Sequence, residues 1–555
     1  MTALGESLRL LRSRGFHPVA ARAPRRVFVG SLPCAKGPVP VKLTVEDWNF
    51  LEYPQISLVE RPAFLPALMP HVDVLGHLCY FAPGAVTLDR YDPATAVAQC
   101  LDQATVMLDR IVANPEYRID DIQSEFPAHW EYGQLSLPWT VFLGDIQPQA
   151  TTAKYFIMRK GERKHALVSC DPDEAHRLAR SLGAAVTASR YGCWLFQTAV
   201  PPRVPAQMPR TVKELFVWVR SWDCTLYAGI QKALGEKDYL QQTYAAFAVK
   251  TPVGWIGFGF DLDQIRRLGY ANSPKRYRNY LHNAGGVQHL FRMALREAGS
   301  RFVHSRNLSY QDLYNKRVTV VGCGAIGSFV AAALVRLGGG TGKLGRLKLI
   351  DPDDLGPENL GRHVLGYPAL MQTKAGALRD ELLRQFPHSA IEAHACSVFD
   401  HAQLFAAELI VDATGEESVS EYLNGLRLQR GTLTPLLHVW IRGNGEFVQA
   451  LWADAEGGAC YRCLLVPDAR FHRKERFPLL KTDPLQRTDG CRAYTPYAVS
   501  APMQAAALAA DMVCGWLQGD PSPRFRTRSQ ENADVYRVKN QNLTRMDGCP
   551  ACARP

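Results

Sequence analysis

RVTVVGCGAIGS, residues 317–328, is the stretch on which the fold turns. Its opening residues, Val318 to Val321, are an unbroken run of β-branched side chains, the composition of a strand. The run enters a glycine-rich turn, which opens the apolar stretch SFVAAALVRLG (328–338), of helical length. Strand, glycine turn and helix in this order make a nucleotide-binding loop. Gly322 permits the tight turn, Gly324 lets the backbone approach a phosphate, and Gly327 lets the helix pack close on the strand. The helix N-terminus favours an anion.

Outward from the loop, the next strand, RLKLID (346–351), ends in Asp351. An acid there is placed to hold ribose hydroxyls. Up to this point a dinucleotide dehydrogenase fits equally well. The following residues, LIDPDDLGPENLGRHVLG (349–366) and then Lys374, decide against it. They resemble the signature of ThiF-type and ubiquitin-activating-type enzymes, in which D-x-D and N-L-x-R-Q precede a lysine. Asn359, Arg362 and Lys374 match; position 363 is His where the family has Gln. The third strand, ELIVDATGEES (408–418), ends in Asp412 and matches the acidic segment that follows that strand in the family.

The resemblance covers about 250 residues with the elements in order. It implies a Rossmann-like ThiF-type adenylation domain at 301–555, with ATP and Mg²⁺ as cofactors. It also implies that Arg362 and Lys374 contact phosphates, Asp412 holds Mg²⁺, and Asp351 binds ribose. Asn359 joins the nucleotide site by the same match. These residue types suit adenylation, which needs positive charge around the phosphates and a metal on the leaving pyrophosphate. Relatives often add an arginine from the neighbouring subunit, for which Arg301 and Arg306 are candidates.

Among 14 cysteines, Cys460 and Cys463 form one CxxC pair and Cys549 and Cys552 another. Each pair offers two thiolates on one turn, so two pairs complete a tetrahedral Zn²⁺ site. Two redox motifs are the rival reading, but a CxxC beside the last residues suits an anchor. The ThiF-type family often carries such a pair of pairs. Between them lies TDGCRAYTPY (488–497), before an Ala-rich helix from about Ala501 to Leu517. Relatives that form a thioester carry their cysteine in a comparable loop. This implies Cys491 as nucleophile; an incidental loop thiol is the alternative.

The N-terminal region has strand-like stretches at Arg26–Gly30, Val41–Val45 and Ile56–Val59, then ALMPHVDVLGHLCYFAPGAVTLDRYDP (67–93). Ala94, Val97, Leu101, Ala104, Leu108 and Ile111 then recur at helical spacing, behind Asp92 as N-cap and Pro93 at the first helical position. Strands, a His, a loop cysteine and a helix, in this order, resemble a ubiquitin-conjugating domain at 1–145, with Cys79 as its catalytic thiol. His71 lacks the family's following Pro-Asn and has Val72-Asp73 instead, so the oxyanion-stabilising Asn is missing. Residues 146–300, with a Pro-rich link AVPPRVPAQMP (199–209), carry no interpretable motif and read as an α+β linker domain.

Net charge is +11 but is spread along the 555 residues, without the basic–aromatic groove that nucleic acid needs. The chain shows no apolar run near the ~18 residues that span a bilayer. We therefore expect no direct nucleic acid, no membrane and a cytoplasmic location. A conjugating domain ahead of an activating domain resembles the bacterial fusion enzymes of anti-phage CBASS operons. That resemblance implies a homodimer that activates the C-terminal tail of a cGAS-like nucleotidyltransferase. The acyl group would then pass from Cys491 to Cys79 and on to an acceptor lysine of a target. The alternatives are a small β-grasp ubiquitin-like protein as substrate, or a sulfur-carrier adenylyltransferase. A dead scaffold fits poorly with intact Asp351, Arg362, Lys374 and Asp412.

Overall fold

The structure is a computed structural model that describes residues 3–19, 25–73, 75–131, 139–401, 403–466, 474–490, 492–531 and 533–552. The chain divides into two compact units: Met1–Pro172 with Val186–Glu297, and Asp173–Ala185 with Ala298–Pro555.

The first unit opens with an antiparallel meander of β1 (His17–Val19), β2 (Arg26–Cys34), β3 (Gly37–Val45) and β4 (Gln55–Leu58). Val39, Val41, Leu43 and Val45 alternate along β3 and are buried. They share a core with the helix Pro93–Ala113, which buries Val97, Leu101, Ala104, Leu108 and Ile111. The helix starts where the sequence places it: Asp92 Oδ1 accepts from the Thr95 amide at 3.1 Å, and Pro93 occupies the first turn.

Seven strands then close a barrel: β5 (Trp139–Leu143), β6 (Thr152–Lys160), β7 (Arg163–Ser169), β8 (Ala185–Gln197), β9 (Tyr244–Thr251), β10 (Gly254–Asp261) and β11 (Phe291–Glu297). Their order is β10-β11-β5-β7-β6-β8-β9. Strand β5 lies before residue 145 yet pairs with β7 and β11, both in parallel. Alternate residues from all seven strands, among them Val141, Tyr155, Ala166, Cys193, Ala246, Trp255 and Met293, form one core cluster. A second, aromatic cluster joins Phe247, Phe258 and Phe260 to Trp218, Trp222 and Tyr277 on the helices Val212–Trp222 and Pro274–His282. The stretch TVKELFVWVRSW is therefore helical, and Thr211 and Glu214 cap it with a reciprocal capping box.

The second unit holds a seven-stranded sheet. Its strands are β12 (Arg317–Val321), β13 (Arg346–Ile350), β14 (Ile391–His394), β15 (Leu409–Asp412), β16 (Leu436–Arg442), β17 (Phe447–Ala453) and a last strand, Phe525–Ser529. The order is β14-β13-β12-β15-β16-β17 and then that last strand. The first five run parallel; β17 runs antiparallel to β16, and the last strand runs antiparallel to β17. One face packs on the helices Ala325–Arg336 and Ser500–Leu517 through Val318, Val320, Leu349, Val411 and Trp452. The strand order reverses between β12 and β15, so the crevice beyond their C-terminal ends is where such a sheet binds ligand. Among the described residues, no helix is long and apolar enough to cross a membrane.

Candidate functional site

At the reversal point the chain makes the turn that the glycines require. Gly322 has φ +85° and packs so closely that a Cβ there would lie 2.9 Å from Thr414 Cα. A Cβ on Gly327 would lie 1.8 Å from the Gly322 carbonyl oxygen, whereas the space around Gly324 is open. Gly324 caps the helix Ala325–Arg336, whose free first-turn amides are the anion-favouring end.

Cys323, buried inside this turn, is pinned on both sides. Its amide donates to Asp351 Oδ2 at 2.6 Å, and its carbonyl accepts from His363 Nε2 at 2.7 Å. The other Asp351 oxygen accepts from the Asp353 amide at 2.9 Å. Asp351 is 6% exposed, and burial raises its pKa. Oδ2 thus braces the glycine-rich loop, and Oδ1 the backbone that follows β13. His363, the departure from the family pattern, is buried, and burial lowers its pKa. Its Nδ1 accepts from the Leu365 amide at 3.0 Å, which suits a neutral ring donating from Nε2.

Asn359 Oδ1 accepts from the Gly356 amide at 3.0 Å and closes the turn Pro357–Arg362. The Arg362 guanidinium lies over the Tyr497 ring at 4.9 Å. Its Nε is buried and has no hydrogen-bond partner among the described residues. A buried guanidinium N–H one residue from the loop-binding His363 is a donor that a phosphate oxygen would satisfy. Lys374 begins the helix Lys374–Gln385, and its Nζ lies 2.8 Å from Asp353 Oδ2.

Asp412, at the end of β15, is 1% exposed. Oδ1 accepts from the Thr414 amide at 3.2 Å and the Thr414 hydroxyl at 2.7 Å. Oδ2 accepts from the Ser420 hydroxyl at 2.5 Å and from His438 Nδ1 at 2.7 Å. Burial opposes the charge, but the His438, Ser420 and Thr414 donors outweigh it and hold the carboxyl below its usual range. A carboxylate has about four lone-pair positions, and all are taken. In this arrangement Asp412 does not fit a direct Mg²⁺ contact.

The four cysteines of the CxxC pairs converge. Cys460 Sγ lies 3.9 Å from Cys463 Sγ and 3.8 Å from Cys549 Sγ, and Cys463 and Cys552 are 3.5 Å apart. All four sulfurs fall within 4.8 Å of one another. A tetrahedron with Zn–S bonds of ~2.3 Å has edges of ~3.8 Å, so the donor set fits the ion. Cys491 lies outside the described residues; the helix after it, Ser500–Leu517, begins one residue before the position expected.

In the first unit, Cys79 is exposed at the end of a small hairpin closed by the bridge Val72–Leu78. Its amide donates to the His71 carbonyl at 2.7 Å. Asp73 organises the tip, accepting from the Leu75 and His77 amides and, through Oδ2, from His77 Nδ1 at 2.9 Å. His71 adopts φ +57°, and its Nε2 lies 3.2 Å from Asp121 Oδ2. Both loop histidines are therefore tied to carboxylates, and Asp73 builds the turn where the family has Asn. Cys100, in contrast, is fully buried in the long helix, and burial pushes its thiol up to about 11.

Tyr497 and His438 were not singled out from sequence as site residues: each is a single side chain brought in from a distant segment, and no spacing rule marks it. His363 stood out only as the departure from the family motif, without a role.

Comparison with known proteins agrees with this architecture. The ThiF family matches residues 294–551, and Prokaryotic E2 family B matches residues 20–135. The ATP-dependent ubiquitin transferase-like protein Cap2 of Pseudomonas aeruginosa is 32% identical over 514 residues, 91% of this chain and 90% of its own. Cap2 of Vibrio cholerae is 24% identical over 552 residues, 91% of this chain and 90% of its own. Among solved structures, Escherichia coli MccB with ATP is similar at 18% identity and a TM-score of 0.34, over 51% of this chain and 74% of that one. The chain is thus an ATP-dependent activating and conjugating enzyme, and it belongs to the ATP-dependent ubiquitin transferase-like (Cap2) family.

Proposed function

We propose that this enzyme activates the C-terminal carboxylate of a protein and carries it over two cysteines to an amine. The observation that carries the reading is the exposed Cys79 thiol, on a braced hairpin, in the same chain as a nucleotide crevice with an unpartnered Arg362 donor. The tail carboxylate attacks the α-phosphorus of ATP and pyrophosphate leaves. Arg362, Lys374 and the amides after Gly324 offset the charge that builds on the phosphates. The Cys491 thiolate takes the acyl group and AMP leaves. Cys79 then displaces Cys491, and a lysine amine of the target displaces Cys79. With both thiols on one chain, the second transfer proceeds at high effective concentration.

In this reading Mg²⁺ accompanies the ATP phosphates, Zn²⁺ fills the Cys460–Cys463–Cys549–Cys552 cluster, and the enzyme works as a cytoplasmic homodimer. The division into domains at 1–145, 146–300 and 301–555 belongs to the same proposal, with the first junction moved ahead of the barrel strand β5. The substrate tail is that of a cGAS-like nucleotidyltransferase, with a β-grasp ubiquitin-like protein as the second reading.

ATP–pyrophosphate exchange with each candidate tail tests the substrate. Exchange should rise only with the true C-terminus and vanish when its last residue is removed. Non-reducing gels of Cys79→Ala and Cys491→Ala test the relay. Cys79→Ala should stop at the Cys491 adduct, and Cys491→Ala should carry none. A thiol-sensitive adduct that survives in both variants rules the relay out.

A further inference from the structure

The four-cysteine cluster and the glycine-rich loop are joined by an unbroken line of contacts inside the second unit. Tyr461 sits between Cys460 and Cys463, and its ring packs on the His438 ring with centroids 4.7 Å apart. His438 is 0% exposed. Its Nδ1 donates to Asp412 Oδ2, while its Nε2 is buried with no hydrogen-bond partner among the described residues. Packing, not a hydrogen bond, therefore fixes that side of the ring. Asp412 in turn holds Thr414 by amide and hydroxyl. Thr414 is the residue on which Gly322 packs too closely to admit a Cβ.

A second route runs through the helix Glu417–Arg430. The Tyr461 amide donates to Asn424 Oδ1 at 3.1 Å, and Arg462 Nη1 donates to Glu421 Oε1 at 2.8 Å. The same helix supplies the Ser420 hydroxyl to Asp412. Both central residues of the first CxxC turn thus grip the helix that grips Asp412.

We propose that the cysteine cluster is a strut of the nucleotide loop and not only an anchor for the tail, and that His438 is the positioning residue through which it acts. When a metal holds Cys460 and Cys463 at fixed separation, Tyr461 is fixed between them. His438, Asp412 and the Thr414 turn are then fixed against Gly322. Without the metal the turn loosens and the loop amides lose their common aim at the phosphates. This rests on the reading of the loop as the ATP site and of the cluster as a zinc site. A network of packed and hydrogen-bonded groups is the physical basis for such coupling.

The test uses the full-length protein and equilibrium binding of ATP, without any substrate protein. His438→Val should retain its zinc and its unfolding midpoint within a few degrees, yet bind ATP about 2- to 30-fold more weakly, the range for a mutation along a coupling network. His438→Asn, which keeps a donor near the Nδ1 position, should restore most of that affinity. Chelation of the parent should weaken ATP binding by a similar factor, and chelation of His438→Val should add little. Unchanged ATP affinity in zinc-loaded His438→Val, or in the chelated parent with its circular dichroism intact, overturns the strut and leaves the adenylation reading standing. A parent that binds zinc but no ATP overturns both.

Discussion

Arg362 and Gly327 are the residues whose replacement separates binding from folding. Arg362 offers a buried, unpartnered Nε beside the loop, so removing it leaves the fold's own hydrogen bonds intact. Arg362→Ala should lower the exchange rate by about 10²- to 10³-fold, the range for losing one preorganised donor to developing charge. Its urea midpoint should stay close to that of the parent, and full activity would exclude a phosphate role. Gly327→Ala acts on the fold itself. Its new methyl would sit 1.8 Å from the Gly322 oxygen, so the helix must retreat from the turn. Overpacking of this kind costs about 1–3 kcal/mol. Both the urea midpoint and ATP binding should fall, and a stable, ATP-binding alanine variant would contradict the close packing.

The helix Cys224–Ala233 shows how a single cap makes an element pH-sensitive. Asp223 Oδ1 accepts from the Thr225 and Leu226 amides, and Oδ2 accepts from the Thr198 hydroxyl. Burial pushes the carboxyl up, but the Thr198 hydroxyl and the two amides more than offset this, so its pKa lies below the usual value. A carboxyl lowered on folding adds stability above its unfolded pKa of ~3.9, and that stability is lost as pH falls through the folded value. Asp223→Ala should therefore cost about 1 kcal/mol at pH 7, measured by urea unfolding. The difference from the parent should shrink as pH falls below the unfolded value of ~3.9; a difference that stays constant down through the acid range would show that the cap's charge is irrelevant.

For the whole molecule, the division into two compact units with separate cores predicts that heat or denaturant does not unfold the chain in one step. Calorimetry should resolve more than one transition, and saturating ATP should shift the one that belongs to the second unit, because a ligand stabilises the state that binds it. A single transition with equal calorimetric and van't Hoff enthalpies would show that the units unfold together.

The sequence alone determined the local devices. A glycine turn needs φ values and clearances that only glycine meets, so Gly322 and Gly327 are visible in one dimension. The N-cap at Asp92, the helix after it and the strands at β12, β13 and β15 follow from short-range periodicity and capping chemistry. Paired CxxC turns announce a four-thiol cluster because each turn by itself presents two of the four thiols. The barrel was not legible, because closure depends on which strands pair, and β5 finds β7 and β11 through parallel contacts set far along the chain. Nor was the state of Asp412. Its position at a strand end was readable, but its four donors come from Thr414, Ser420 and His438, on three successive elements. Whether a carboxylate faces a ligand or is saturated by its neighbours is decided by packing in three dimensions. That physical reason makes the loop readable from sequence and leaves to the tertiary structure the strut that holds it.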